Sequence, residues 1–346
     1  MRSHNSLCIA ASALVAVLLA LALRTLSRSA YSGIPTALSS FDPPANSGAS
    51  VMEDACHNPF SSARAPLPGC VKRHNDFNIT LANLDEDLVA NYSRFFDPYL
   101  VSNGGRITVA WDGLMWVPGD FDCIVSPANS FGLMDGGADW AISYHLAGGP
   151  EGLVAHVQRA ILNKFAGQQP VASSFIIDVE EVVRSYLRTP GNHFRAAGET
   201  NVKLPRFLAH TPTMRTPQKL GPSTTVPYDA MWSTLVAIRE HNVQAEAAGR
   251  PDRAIRNVLL PGFGTSYGHV PPAVGARQLA LAYKHFLENP ADYIGTRQCG
   301  GWDPRCDVGS DRGGKCRIEA EKTYLISWDY VDQLAEEIRS TWACTY

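Results

Sequence analysis

The sequence has almost no net charge, and it lacks two familiar nucleotide-binding loops. Thirty Lys and Arg residues against 33 Asp and Glu residues give a formal net charge of −3. A general nucleic-acid binder needs a basic surface that displaces counterions from phosphates, so we expect no nucleic-acid partner. Its glycine-rich loops are not followed by Gly-Lys-Ser/Thr and do not spell GxGxxG. This excludes a Walker A loop and a dinucleotide fingerprint at those positions.

Closely spaced cysteine pairs are also missing. None of the eight cysteines forms a Cys-x-x-Cys pair, and no histidine lies inside the C-terminal cysteine group, so we expect no metal site. Nothing in the sequence calls for a cofactor. The cysteines instead cluster in loop-like sequence, which favours disulfides and an oxidising compartment. We expect a Cys56–Cys70 bond, at least one pair among Cys299, Cys306, Cys316 and Cys344, and a buried free thiol at Cys123.

The N-terminal third contains segments that do not resemble a folded domain. Residues 7–23 are a predominantly apolar run flanked by Arg2 and Arg24, so residues 1–30 are predicted to be a signal peptide or a membrane anchor. Residues 31–70 are rich in Pro, Ser, Ala and Gly, which is typical of a linker. Asn78 and Asn91 begin glycosylation sequons. We therefore expect a single-pass membrane protein or a secreted one, with a membrane partner at the N-terminal segment.

Residues 71–346 alternate strand and helix patterns, with an insertion rich in Cys, Gly and Asp at about 288–321. Strands separated by helices predict a mostly parallel sheet that is covered on both faces. Strands are expected at 106–111, 123–125, 174–179, 206–209, 257–260 and 323–326. Helices are expected at 80–96, capped by Thr80, and at 152–165, 228–241, 273–287 and 328–342.

The first of two glycine-rich loops follows a short apolar strand. The strand at 123–125 runs into Ser-Pro-Ala-Asn at 126–129, and a glycine pair at 136–137 leads into helix-like sequence. Glycine lets backbone amides approach a phosphate closely, and a helix start favours anions through its dipole. The side chain of Asn129 can both donate and accept, which suits a ribose hydroxyl.

The second loop has the same order of elements. The strand at 257–260 runs into Pro-Gly-Phe-Gly-Thr-Ser-Tyr-Gly-His-Val-Pro at 261–271, and a helix is predicted next. Two such loops at the carboxyl ends of parallel strands can converge on one diphosphate. Each loop alone is typical of an ordinary glycine-rich turn, so the prediction depends on the pair.

Together the two loops resemble the macro domain family. Residues 122–142, DCIVSPANSFGLMDGGADWAI, are similar to that family's signature of a strand, an Asn-Ala-Ala-Asn-like tetrad and a glycine-rich loop. Residues 260–272, LPGFGTSYGHVPP, resemble its second phosphate loop. The resemblance covers about residues 105–346, without the Cys-rich insertion, and implies a three-layer α/β/α fold with a mostly parallel mixed central sheet. This sequence departs from the family pattern at Ser126, Pro127, Asp135 and Ser266.

The resemblance implies a pocket for ADP-ribose or for an ADP-ribosylated molecule. Asn129 would contact the distal ribose, Tyr267 would lie against it, and Asp112 would receive the adenine amino group. Backbone amides and hydroxyls of both loops would hold the diphosphate. The expected ligand-binding residues are Asp112, Asn129, Gly136, Gly137, Gly262, Gly264, Thr265, Ser266, Tyr267 and Gly268.

Asn129 and Asp139 are the candidate catalytic residues. Asp139 matches an acidic position with which some hydrolytic members of the family orient water or a ribose hydroxyl. The simpler alternative is a carboxylate that satisfies free amides at a helix start. We expect His145, His210 and His269 to be core or surface histidines, and Trp140 to be a packing residue.

Three functions remain open from the sequence. The leading hypothesis is a module that binds ADP-ribose or an ADP-ribosyl derivative. The first alternative is a hydrolase of ADP-ribosyl esters or of ADP-ribose 1″-phosphate. The second alternative is a protein of the secretory pathway whose macro fold has lost its ligand and mediates protein contacts.

Overall fold

The computed structural model describes residues 76–198, 202–288 and 328–342. The N-terminal segment, the linker, the six expected disulfide cysteines, the strand at 323–326 and all but the first residue of the insertion lie outside the described residues. Within these described ranges, no helix is both long enough and apolar enough to cross a membrane.

Six strands of the described chain form one mixed sheet. They are β1 (Asn78–Asn83), β2 (Ile107–Trp111), β3 (Cys123–Ser126), β4 (Phe175–Asp178), β5 (Phe207–His210) and β6 (Asn257–Leu260). Their order across the sheet is β2-β1-β6-β3-β5-β4. Every neighbouring pair is parallel except β4 and β5, which run antiparallel. The expected mostly parallel mixed sheet is therefore confirmed.

Helices connect the strands. They are α1 (Glu86–Phe95), α2 (Gly137–Ala147), α3 (Pro150–Phe165), α4 (Glu180–Arg188), α5 (His193–Ala196), α6 (Val226–Ala247), α7 (Pro272–Glu288) and α8 (Trp328–Ser340). Local sequence explains several of the boundaries. The Asp85 carboxylate caps α1 by accepting from the amide of Leu88 at 3.1 Å. Gly148, in the left-handed region at φ 76°, ends α2.

The hydrophobic core has two parts, one on each face of the sheet. Side chains alternate along each strand, so Val125 and Leu260 pack with α1, α6 and α7 while Ile124 and Leu259 pack with α2, α3 and α4. These strand residues are essentially inaccessible to solvent. Each such side chain contributes about 1.5–3 kcal/mol through burial, which ties both helical layers to the sheet.

The helix expected at 80–96 was wrong in its first turn. Residues 78–83 form β1, which pairs with β2 on one side and with β6 on the other. Phe77, Ile79 and Leu81 are buried at two-residue spacing, and the helix begins only after Asp85. Leu81 fits both the helical spacing with Leu84 and Leu88 and the two-residue spacing with Phe77 and Ile79, and pairing with two neighbouring strands favours the strand.

Cys123 and the two sequon asparagines lie within the described residues. Cys123 is a buried free thiol, as expected, and burial raises its pKa. Asn78 begins β1, and its exposed side chain donates to Asn257 Oδ1 at 3.0 Å. Asn91 lies within α1 and donates to the carbonyl oxygen of Asp87 at 2.7 Å. Glycosylation of either asparagine stays a prediction.

Candidate functional site

The two glycine-rich loops meet at the carboxyl edge of the sheet. The first loop (residues 127–137) joins β3 to α2 and includes Gly137, the first residue of α2. The second loop (residues 261–271) joins β6 to α7, and β3 and β6 are hydrogen-bonded neighbours. Tyr267 of the second loop reaches across to the first. A Cβ atom built on Gly136 would lie 3.9 Å from Tyr267 Oη, and one built on Gly137 would lie 3.8 Å from Tyr267 Cε2.

The glycine pair of the first loop is open to solvent. Gly136 and Gly137 are exposed, and apart from Tyr267 no atom approaches either position within 4 Å of an added Cβ. Gly136 is the N-cap of α2, and no side chain caps the helix there. The first amides of a helix have no partners within the helix, and its dipole favours an anion at that end. The amides at this end of α2 are therefore accessible from solvent, in the arrangement that anions favour in other helices.

Asp139 lies in the first turn of α2 but points into the protein. It is 7% exposed, and its Oδ1 accepts a hydrogen bond from the Ser126 hydroxyl at 2.6 Å. Burial raises the pKa of this carboxyl to about 7, with the charge of Asp135 acting in the same direction and the Ser126 hydrogen bond opposing it. Asp139 therefore exchanges its proton near neutral pH, and Ser126 at the end of β3 is its partner.

Asn129 organises the first loop through its side chain. Its Nδ2 donates to the carbonyl oxygen of Leu133 at 2.8 Å, and its Oδ1 accepts from the amide of Phe131 at 3.0 Å. Its backbone forms an isolated bridge with Met214, which follows β5. These bonds use most of the hydrogen-bonding capacity of the amide group. The expected contact with a ribose stays a prediction.

The glycines of the second loop are enclosed by the protein itself. A Cβ on Gly262 would lie 2.8 Å from Leu88 Cδ2, and one on Gly268 would lie 2.3 Å from the carbonyl oxygen of Gly264. Gly264 has a left-handed φ of +70°, and its added Cβ would lie 2.9 Å from Leu220 Cδ1. Here glycine is required by internal packing. Exposed groups of this loop include Ser266 and Tyr267, with Thr265 half-buried.

Asp112 lies farther along the same edge. It follows β2, which is separated from β6 by β1, so two strand spacings place it about 10 Å from the second loop. Its Oδ1 accepts from the amide of Gly113 at 2.7 Å. Two largely exposed indoles, Trp111 and Trp116, belong to the same segment. Asp112 thus lies at the same edge, while direct contact with an adenine stays a prediction.

Two of the three candidate histidines, His145 and His210, are packing residues. Burial, with a smaller contribution from His193, lowers the pKa of His145 to about 4, and its ring contacts Phe194 edge to face. Burial lowers the pKa of His210 to about 3, and its Nδ1 pairs with Gln169 Oε1 at 2.6 Å. His269 is exposed on the second loop. Within the described part of the chain, no group of three His, Cys, Asp or Glu side chains could hold a metal.

Comparison with known proteins shows similarity to macro domains. A solved structure of a macrodomain with ADP from Oceanobacillus iheyensis is 18% identical in sequence and has a TM-score of 0.32. The match covers 50% of this chain and 72% of that one. A family model described as a macro-like domain matches residues 109–289, which is more than half of the 346 residues. The chain therefore belongs to the macro-like domain family.

Proposed function

We propose that this protein binds ADP-ribose, or an ADP-ribosyl group on another molecule, at the carboxyl edge of its sheet. The observation that carries the proposal is the exposed, uncapped start of α2 at Gly136–Gly137, next to the ring of Tyr267. A diphosphate placed there gains backbone hydrogen bonds and a favourable helix dipole. Membership of the macro-like family supports the same class of ligand.

The remaining candidate residues fit a ligand that extends along this edge. Tyr267 is 59% exposed, so its ring can contact a ribose next to the diphosphate. The hydroxyl of Ser266 is on the same exposed stretch. Asp112 lies about 10 Å away across two strand spacings, and its carboxylate can accept from an adenine amino group there.

Hydrolysis of an ADP-ribosyl derivative is the second candidate function, and Asp139 is the observation that favours it. A carboxyl with a pKa of about 7 can take up and release a proton at neutral pH, as a general base requires. The test is turnover of an ADP-ribosyl ester and of ADP-ribose 1″-phosphate by wild type and Asp139→Ala. A hydrolase loses turnover in the variant while it still binds ADP-ribose, whereas a binding module shows no turnover in either protein.

The proposed location is the membrane or the secretory pathway, on the basis of the N-terminal apolar run and the sequons. The expressed full-length chain should shift in mobility after glycosidase treatment and should fractionate with membranes or medium. A soluble cytosolic pool whose mobility does not change would contradict this proposal.

The experiment for the binding proposal is calorimetric titration of the full-length protein with ADP-ribose. Gly136 has an ordinary extended φ of −155° and open space at its Cβ, so both Gly136→Glu and its neutral match Gly136→Gln should fold. We expect about tenfold weaker binding for Gln, through bulk, and about tenfold weaker again for Glu, through charge repulsion with the diphosphate.

Two results would contradict the proposal. One is the absence of heat with wild type at millimolar ADP-ribose, which would favour a ligand-free macro fold that serves protein contacts. The other is wild-type affinity in both Gly136 variants, which would place the ligand elsewhere on the protein.

A further inference from the structure

Three aromatic rings form a stacked column on the surface beside the first loop. Trp140 and Tyr144 of α2 stack with centroids 5.3 Å apart, and Tyr144 and His193 stack at 5.0 Å, both with interplanar angles of 16°. Tyr186 fixes the position of His193, because its hydroxyl hydrogen-bonds to His193 Nδ1 and accepts from the His193 backbone amide at 3.1 Å. We call Trp140, Tyr144 and His193 the aromatic column.

The outer end of the aromatic column borders the proposed anion site. Trp140 lies in the first turn of α2, and its amide donates to the carbonyl oxygen of Gly136 at 3.3 Å. Side chains of a helix lean toward its N-terminus, which brings the indole toward the Gly136–Gly137 turn. Trp140 was expected to be a packing residue, but 43% of it is exposed, at the end of the column opposite His193.

The charge around this end of the site is negative. No Lys or Arg occurs between Arg106 and Arg159, and of the acidic residues in that stretch Asp135 and Asp139 lie at the start of α2. Asp135 is exposed and close enough to Asp139 to influence its titration. Basic residues of this region lie on other segments than α2: Arg215 and Lys219 are on the loop after β5, and Arg195 is on α5, two residues after His193. Beside the anion site itself, these carboxyl groups favour a cationic group near Asp135 and Trp140.

We propose, resting on the proposed function, that the aromatic column binds the guanidinium group of an arginine side chain that carries ADP-ribose. A guanidinium is planar and stacks on an indole face, where the ring quadrupole attracts its charge. Its positive charge is also attracted by the local acidic residues, whereas an uncharged nucleobase or an uncharged serine linkage gains no such attraction. With the diphosphate at the start of α2, the group attached to the distal ribose lies on the side of Trp140.

The test compares three ligands by calorimetry on the full-length protein: ADP-ribose, ADP-ribosylated arginine and ADP-ribosylated serine. Wild type should bind the arginine derivative about three- to thirtyfold more tightly than ADP-ribose, the range for a stacked cation, and the serine derivative no more tightly. Trp140→Ala should lose this gain and keep its affinity for free ADP-ribose within about twofold. Trp140→Phe, which retains an aromatic face, should keep part of the gain.

The other outcomes each overturn a defined claim. If ADP-ribose binds but the arginine derivative has no advantage, the subsite is wrong and the proposed function stands. An equal advantage for the serine derivative also overturns the subsite, because the contact would not depend on the guanidinium. If no ligand gives heat with wild type, both the subsite and the proposed function fail. Thermal unfolding of each variant serves as the control for folding.

Discussion

The two glycine-rich loops follow the same pattern in sequence, but the glycine pair of the first loop and the glycines of the second loop have opposite surroundings in the structure. Gly136 and Gly137 of the first loop face solvent, with the ring of Tyr267 beside them. Gly262, Gly264 and Gly268 of the second loop face Leu88, Leu220 and the loop's own backbone. A glycine can therefore mark either a surface that a ligand approaches or a place where the protein leaves no room for a Cβ. Of the two loops, only the first has glycines that a ligand could approach from solvent, Gly136 and Gly137.

Replacing a glycine by Glu in each loop should distinguish an exposed glycine from a packed one. The expected difference in the free energy of unfolding is the largest of these predictions. Glu at position 264 combines a left-handed φ with a clash against Leu220, which should lower the free energy of unfolding by about 4 kcal/mol. Glu at position 136 meets neither obstacle and should change it by less than about 0.5 kcal/mol. Urea unfolding of Gly264→Glu and Gly136→Glu measures both. Equal stability of the two variants would contradict the comparison.

Loss of ligand binding in Gly264→Glu would consequently be ambiguous. From sequence alone, that substitution is expected to block the diphosphate by bulk and like charge. The added side chain instead points at Leu220 and Val270, on the protein side of the loop. Binding experiments should use Gly136, where the added group projects into open space.

The next largest effect concerns the titration of Asp139 beneath the first loop. Its folded pKa of about 7 lies above the ordinary value of 3.8, so the folded state holds a proton that the unfolded chain releases. The resulting stability is fully present below about pH 4 and is lost as the pH rises through 7. Asp139→Asn retains an acceptor for Ser126 but cannot titrate. Wild type should therefore lose about 2–3 kcal/mol of unfolding free energy between pH 5 and pH 8 that Asp139→Asn does not lose.

Urea unfolding of both proteins at the two pH values measures this shift. A difference that does not vary with pH would show that Asp139 is ionised throughout, as an ordinary capping carboxylate would be. The nearby carboxylate of Asp135 is expected to contribute only the smaller part of the shift.

Much of the fold could be predicted from patterns in the sequence. The strand at Asn257–Leu260 matches its predicted limits, and the other described strands that were predicted agree within one or two residues. The strand at Asn78–Asn83 was missed because its Leu81 also continues the helical spacing of Leu84 and Leu88, and only pairing with β2 and β6 resolves the choice. Helices α4 and α5 were not predicted. The antiparallel direction of β4 depends on packing that no local pattern reveals.

The site could be predicted only as a set of loops. The resemblance to macro domains, which rested on those loops, is confirmed by the family match. The contacts that distinguish the glycines come from distant elements, since Leu88 belongs to α1 and Leu220 to the loop after β5. The partnership of Ser126 with Asp139 was also missed. The sequence does show that Ser126 ends a strand and that Asp139 begins the next helix. It does not show that the Asp139 carboxylate points back toward Ser126.

A smaller effect is expected for Asn129, which stabilises the first loop from within. Asn129→Ala removes the hydrogen bonds to Leu133 and Phe131, and it should lower the free energy of unfolding by about 1–2 kcal/mol. Affinity for ADP-ribose should fall with it, because the loop that presents Gly136 loses its order. Asn129→Asp, which keeps the acceptor for Phe131, should recover part of the stability. A variant that loses affinity at full stability would instead indicate a direct contact with the ligand.

The smallest effect tests the contact of Tyr267 with the glycine pair of the first loop. Tyr267 is 59% exposed, so Tyr267→Phe should change stability by less than about 0.5 kcal/mol, and its ring still covers Gly136 and Gly137. Affinity for ADP-ribose should then change by no more than about threefold, whereas Tyr267→Ala, which removes the ring, should weaken it by about tenfold. Calorimetry on the two variants distinguishes contact through the ring from hydrogen bonding through the hydroxyl. If Phe weakens binding as much as Ala, the hydroxyl is what the second loop contributes. If neither variant weakens binding, the first loop holds the ligand without help from the second.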